Sequence, residues 1–231
     1  MLKFDRVLLR QGEFEIGIDW ELPDGARVAL VGPSGAGKST VLAAVAGFLA
    51  PANGRVLWQG QDLSSFRPAE RPVTILFQDH NLFPHLTVEQ NLGLGLDPRL
   101  RLMPDQLSKI EGALVRVGLP DLGRRTPAEL SGGQQGRVAL ARALLRARPI
   151  LLLDEPFAAL GPRLKAEMLE LVQEIVAETG ATLLLVTHHP EDAKALVGMT
   201  SVVAARMAAP PVDTGTLFAD PPVALRDYLG D

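Results

Sequence analysis

Cysteine is absent from all 231 residues, which excludes disulfide staples, cysteine-based zinc sites and a thiol nucleophile, and is compatible with a reducing compartment. Neither sign of charge dominates. The 23 basic and 27 acidic side chains leave a formal charge of -4 and an isoelectric point near 5.6. A protein that coats a polyanion carries a basic excess, so no nucleic-acid partner is expected. Long apolar runs are missing as well. The longest, Val41–Ala50, Ile150–Leu153 and Leu183–Val186, fall far short of the roughly 20 residues that span a bilayer. The opening Met1-Leu2-Lys3-Phe4-Asp5-Arg6 lacks the apolar core of a secretory signal, because Asp5 interrupts it early. The expectation is a protein made and kept in the cytosol, docked on a membrane only through a partner.

What is present is an ordinary globular mix, 47% hydrophobic and 22% charged, which argues against disorder. At roughly 100–200 residues per domain the length suggests one large domain, or a core carrying a smaller insertion. Such a chain removes about 70% of its unfolded surface from water and needs no staples. Phe14, Ile16, Ile18 and Trp20 alternate with Glu15, Gly17 and Asp19, the period of a half-buried strand. Pro23-Asp24-Gly25 is a turn, and Ala26–Val31 reads as a buried parallel strand. A glycine-rich loop and a small-residue helix to about Phe48 follow, then strands over Gly54–Trp58 and Val73–Phe77. From about Asp79 to Arg148 helical spacing dominates, as in Leu107, Ile110, Leu114 and Val117. Strand and helix then alternate: Ile150–Leu153, Pro162–Glu178, Ala181–Val186, Pro190–Leu196 and Ser201–Ala204. This pattern predicts a parallel α/β sheet interrupted by a helical insertion, with loops and a short helix after Arg206.

Gly32-Pro33-Ser34-Gly35-Ala36-Gly37-Lys38-Ser39-Thr40 fits G-x-x-x-x-G-K-[ST], between a buried strand and a helix as that motif requires. Glycines let backbone amides wrap a polyphosphate, and the helix N-terminus adds partial positive charge. Lys38 would reach the β- and γ-phosphates, and the Ser39 hydroxyl would hold Mg²⁺. Ile150–Leu153 ends in Asp154-Glu155, at the strand end where open α/β sheets bind ligands. Asp154 is placed to hold Mg²⁺ and Glu155 to take a proton from an attacking water. Gln78 and His188 follow other strands of the sheet and are candidates for positioning at the γ-phosphate; a satisfied loop or core residue is the plainer reading of either. Adjacent His188-His189 lacks the spacing of a zinc helix, so no metal beyond Mg²⁺ is assigned.

Leu130-Ser131-Gly132-Gly133-Gln134 resembles the signature motif of ABC-type ATPases and lies, as it does there, shortly before the strand ending in Asp154-Glu155. With Lys38, Gln78, Asp154, Glu155 and His188 in the same order, the resemblance runs from about Val28 to Thr200. It implies an α/β fold: a P-loop NTPase (RecA-like) core with an N-terminal antiparallel β subdomain and an inserted α-helical subdomain. Over 1–231 that means one nucleotide-binding domain, with core about 1–78 and 149–205, helical subdomain about 79–148 and a tail over 206–231. The ligands implied are ATP and Mg²⁺, the metal at Ser39, Gln78 and Asp154 and hydrolysis assisted by Glu155, His188 and Gln78. Ser131, Gly132 and Gly133 open a predicted helix over Gln134–Arg148, a second anion-binding N-terminus. In the family such a cradle closes over the γ-phosphate held by the other copy of a head-to-tail homodimer. An ordinary capped helix start also explains Ser131.

Arg71-Pro72-Val73, Leu76–Val88, Gln90–Leu96 and Ala46-Gly47-Phe48-Leu49 are similar to the ATPase subunit of bacterial thiamine importers. That likeness implies an integral-membrane permease partner and a periplasmic or secreted solute-binding protein. It also implies thiamine as cargo and a peripheral position on the cytoplasmic face of the bacterial inner membrane. Leu82, Phe83 and Leu86 would then face the permease, unless they are simply core of the insertion. The chain departs from the family pattern at several places. Ala158-Ala159-Leu160-Gly161 stands for S-A-L-D, His189 for an Asp, and Gln135-Gly136 for Arg-Gln. The aromatic that stacks on adenine would fall near Gln11, leaving Arg10 or Phe14 to substitute. Three alternatives remain: an ABC ATPase for another imported or exported substrate, a P-loop small-molecule kinase, and a DNA-associated ABC ATPase. The kinase has no use for Leu130–Gln134, and the DNA-associated class carries coiled coils or zinc modules.

Overall fold

A computed structural model describes residues 1–77, 81–158 and 160–229. In chain order the elements are β1 (Leu2–Gln11), β2 (Phe14–Leu22), β3 (Arg27–Val31), α1 (Lys38–Ala46), β4 (Asn53–Trp58), β5 (Gln61–Asp62) and β6 (Val73–Leu76). Then come α2 (Val88–Gly93), α3 (Pro104–Arg116), α4 (Gly132–Arg146), β7 (Ile150–Asp154), α5 (Pro162–Thr179) and β8 (Thr182–Val186). The chain ends with α6 (Pro190–Leu196), β9 (Met199–Ala204), β10 (Met207–Ala208), β11 (Val212–Asp213), α7 (Thr214–Ala219) and α8 (Val223–Leu229).

Two compact units result. The first comprises Met1–Val73, Pro149–Glu155 and Gly180–Asp231. Its strands run in the order β5-β4-β1-β2-β10-β9-β3-β8-β7, with β11 on β9. β3, β8 and β7 are parallel, as are β3 and β9, whereas β1 pairs antiparallel with both β2 and β4. Composition explains the division. Val28, Leu30, Leu152, Leu153 and Leu183–Val186 have no measurable exposure, as expected of parallel strands covered on both faces. β1 and β2 alternate instead, burying Leu2, Phe4, Val7 and Leu9 against Ile16, Ile18, Trp20 and Leu22. β1 belongs to the expected N-terminal antiparallel subdomain, although the sequence pattern sets no bounds for it. Its alternation breaks at a bulge between Phe4 and Val7, where Arg6 adopts φ +49°.

The second unit comprises Thr74–Arg148 and Pro156–Thr179, in which α2, α3, α4 and α5 pack together. α3 buries Ile110, Ala113 and Leu114, while Leu107, on the predicted apolar face, stays 48% exposed. α4 starts two residues earlier than predicted. Ser131 caps it, with Gln134 N–H donating to the Ser131 hydroxyl at 3.3 Å and Ser131 N–H donating to Gln134 Oε1 at 2.9 Å; this reciprocal pair is a capping box. Among the described residues no helix is long and apolar enough to cross a membrane.

In the first unit one buried cation ties off the helix that follows the phosphate loop. Arg71 Nη1 donates to the Ala44 and Val45 carbonyls at 2.8 and 2.9 Å, the open end of α1. A Cβ on Gly47 would come 2.6 Å from the Arg71 guanidinium, and Gly47 also closes the helix at φ +91°. Arg71→Ala leaves those carbonyls without their donor and is expected to cost about 3 kcal/mol. In a chain of this size the thermal midpoint should fall by roughly 6–12 °C. A midpoint within about 2 °C of wild type would show that the clamp contributes little.

Candidate active site

The site is built where three parallel strands end side by side. Leu30 of β3 is in register with Val186 of β8, and Val186 with Asp154 of β7. The loops leaving these strands therefore share one sheet edge, the carboxyl end where α/β sheets take ligands. From β3 comes the glycine-rich loop. Gly32 has φ +150° and lies so close to the Val203 backbone that a Cβ would collide with its carbonyl oxygen. Gly37, at φ +102°, leaves the space that the Phe14 ring occupies, 2.7 Å from where a Cβ would sit. A side chain at either position would displace the loop from its strand.

Lys38 opens α1 and is only 7% exposed. Its ammonium donates to the Gly32 and Pro33 carbonyls at 2.8 and 2.9 Å. Burial pulls its pKa below the ordinary lysine value, and the Glu155 and Asp154 carboxylates oppose that fall. Ser39 Oγ donates to Asp154 Oδ1 at 3.0 Å, placing two hard oxygen donors together. Burial raises the Asp154 pKa and the neighbouring Glu155 raises it further, against the opposing effects of the Ser39 hydrogen bond and Lys38. Glu155 takes a left-handed backbone, φ +47°, while its N–H donates to the Val186 carbonyl at 2.9 Å. A non-glycine residue in that region is strained, and such strain concentrates at functional sites. The turn brings Glu155 Oε2 to 3.1 Å from His188 Nδ1.

In the second unit Ser131 and Gly132 are exposed at the start of α4. Gly133 is buried where a Cβ would clash with the Leu164 side chain of α5. Ser131 accepts from Gln134 and so keeps its hydroxyl proton as a donor. Phe83 is 46% exposed. Its backbone is held at both ends by the buried Asn91, which accepts from Phe83 N–H at 2.8 Å and donates to the Phe83, Leu86 and Thr87 carbonyls.

Residues 16–158 match the ABC transporter family model, well over half of the chain. The chain belongs to the ABC transporter family. Over 230 residues, the full length of both chains, it is 64% identical to the Thiamine import ATP-binding protein ThiQ of Cereibacter sphaeroides. It is 54% identical, again over full length, to the protein of that name from Ruegeria sp.. A dimeric ATP-binding cassette solved in a post-hydrolysis state with ADP and phosphate superposes with a TM-score of 0.81 at 28% identity, covering 93% of this chain and 99% of that one. The cbiO1 protein of Clostridium perfringens, part of the cbiONQ ABC transporter complex, gives 0.82 at 28% identity over 95% of this chain and 90% of its own.

For an ABC protein the first unit thus brings together Lys38, Ser39, Asp154, Glu155 and His188. Gln78 lies outside the described residues. Of the two substitutes for an adenine-stacking aromatic, Arg10 is paired with Glu15 at 2.5 Å, and the Phe14 ring rests on the phosphate loop at Gly37. Leu82 and Leu86 are half-buried beside the exposed Phe83. Nothing lies within 4 Å of a Cβ placed on Gly161, so the position has room for a larger side chain. Sequence reasoning passed over Thr187, Asp192 and the clamping role of Asn91. A polar residue on an otherwise apolar helix face was the available signal for Asn91.

A carboxyl whose folded pKa is raised favours the fold below its unfolded pKa, and that advantage is lost as pH rises through the folded value. At pH ~7.5 the Asp154 charge is therefore carried at a cost to the fold. Asp154→Asn is expected to keep or raise the nucleotide-free thermal midpoint there, with the difference closing as pH falls toward ~4. A drop of more than ~3 °C, about 1 kcal/mol for this length, would contradict the burial argument.

Proposed function

We propose that this chain is the ATP-hydrolysing subunit of a thiamine importer. It works as a homodimer that drives uptake through a separate integral-membrane permease, at the cytoplasmic face of the bacterial inner membrane. The solute is delivered by a periplasmic or secreted binding protein. The observation that carries the chemistry is the convergence of Lys38, Ser39, Asp154, Glu155 and His188 on one sheet edge. The full-length likeness to thiamine import ATP-binding proteins supports the cargo.

Each residue then has a task. Backbone amides of Gly32, Ser34, Gly35, Ala36 and Gly37 and the N-terminus of α1, with Thr40 in its first turn, wrap the triphosphate; Pro33, which has no N–H, lends the loop its fixed φ. Lys38 exchanges the Gly32 and Pro33 carbonyls for phosphate oxygens, so the loop is shaped for a charge it already faces. Ser39 Oγ and Asp154 Oδ1, 3.0 Å apart, fit Mg²⁺, which favours a few protein oxygens with phosphates and waters supplying the rest. When bound, the ion neutralises charge across the β- and γ-phosphates. The family resemblance assigns Gln78 to the same ion. Glu155 accepts the proton of the attacking water, and His188, whose Nδ1 lies 3.1 Å from Glu155 Oε2, positions that water at the γ-phosphate. A second copy completes the pocket: the partner subunit's Ser131, Gly132, Gly133 and Gln134 supply a helix N-terminus and a hydroxyl donor to the γ-phosphate.

The test is a reconstitution of the ATPase with its permease in vesicles. Thiamine-loaded binding protein is expected to stimulate hydrolysis. Glu155→Gln is expected to cut turnover at least ~10²-fold, about 2.7 kcal/mol of barrier, with ATP affinity preserved. Hydrolysis near the wild-type rate in that variant removes Glu155 as the base, and indifference to thiamine-loaded binding protein removes the cargo.

A further inference from the structure

The His188 imidazole touches Glu155 at 3.1 Å and the ring of its neighbour His189, with centroids 4.0 Å apart. The His188 side chain is 41% exposed, so where the imidazole sits depends on the short backbone segment between β8 and α6. That segment is anchored by two polar residues outside the chemistry described above. Thr187 and Asp192 are 2% and 1% exposed. Thr187 Oγ1 donates to Asp192 Oδ2 at 3.0 Å and accepts from His189 N–H at 3.1 Å. Asp192 N–H donates back to the His189 carbonyl at 3.1 Å. The His189 N–H and carbonyl, immediately after His188, are thereby tied to Thr187 and to the backbone of Asp192, and the Thr187 hydroxyl is oriented by the Asp192 carboxylate.

A buried carboxylate is expensive, and an apolar residue would fill the same space without that cost. The plain explanation is an acid stabilising the start of α6 through the helix dipole. Glu191 already supplies an acid in that turn, exposed and paired with Lys194 at 3.1 Å. The dipole therefore does not account for a second acid that is withdrawn from water and bonded to Thr187.

We propose that Asp192 is a positioning residue for ATP hydrolysis, locking the Thr187 hydroxyl so that the intervening backbone presents His188 to Glu155. This rests on the roles proposed above for His188 and Glu155. Displacing a positioning group by about 1 Å can cost up to ~10²-fold in rate without a change in substrate affinity.

The experiment uses the reconstituted complex and measures kcat and KM for ATP, with the His188 imidazole followed by NMR in the isolated subunit. Thr187→Val and Asp192→Ala are each expected to lower kcat ~10–10²-fold with KM within about twofold, and to shift the His188 ring signals. Thr187→Ser and Asp192→Asn, which restore a hydroxyl and an acceptor oxygen, are expected to recover most of the rate. Adding Thr187→Val to His188→Ala should change the residual single-turnover rate by less than about twofold. The proposal is overturned if Thr187→Val lowers the rate as much in the His188→Ala background as alone, if KM alone moves, or if the ring signals stay put. If His188→Ala hydrolyses normally, the fault lies in the role assigned to His188. Should Asp192→Ala not fold, Thr187→Val carries the same comparisons.

Discussion

A buried ammonium must be neutralised, and in this protein that requirement organises the nucleotide site. Lys38 is nearly withdrawn from water, and its fixed partners are the Gly32 and Pro33 carbonyls of its own loop. These are dipoles, not charges, and the nearest full negative charges come from Asp154 and Glu155. A group this poorly compensated attracts an anion strongly, because the low local dielectric magnifies each interaction. The loop is thus pre-organised for a polyphosphate: the cost of burying the cation is met by folding and does not recur when ligand arrives.

That arrangement depends on backbone approaches that side chains would prevent. Gly32 presses on Val203 and Gly37 makes room for Phe14, so the loop is wedged between β9 and the β1–β2 hairpin. At the far end of α1, Arg71 occupies the last carbonyls. The helix bearing Lys38 and Ser39 is therefore fixed at both ends. The acids opposite are held by sheet register and by the strained turn at Glu155, with Asp154 also carrying an unfavourable burial that the Ser39 hydrogen bond and Lys38 offset only in part. Stability and function pull in opposite directions at these residues, as is common where chemistry is concentrated.

Much of this was legible in the sequence because the relevant signals are local. The phosphate loop, Asp154-Glu155 after an apolar run, and α5 and α6 with proline at their starts each declare themselves within a few residues. The start of α4 was legible too, since Ser131 and Gln134 have capping-box spacing, although the prediction began the helix at Gln134. The bounds of β1 were hidden by its bulge at Arg6. Thr187 and Asp192 stayed hidden for a different reason: neither pattern nor composition says that a hydroxyl ending a strand will meet a carboxylate in the next helix. Such pairs are products of packing, and strand–helix geometry has to be known before they can be seen.

The central claim is that the chain grips the triphosphate and not merely a nucleotide. Calorimetric titration of the isolated subunit with Mg²⁺–ATP and with AMP tests it most directly. The account predicts ATP binding at least ~10²-fold tighter than AMP, a margin of about 2.7 kcal/mol, most of it erased by Lys38→Met. Equal affinities for the two nucleotides, or a margin untouched by that substitution, would contradict it.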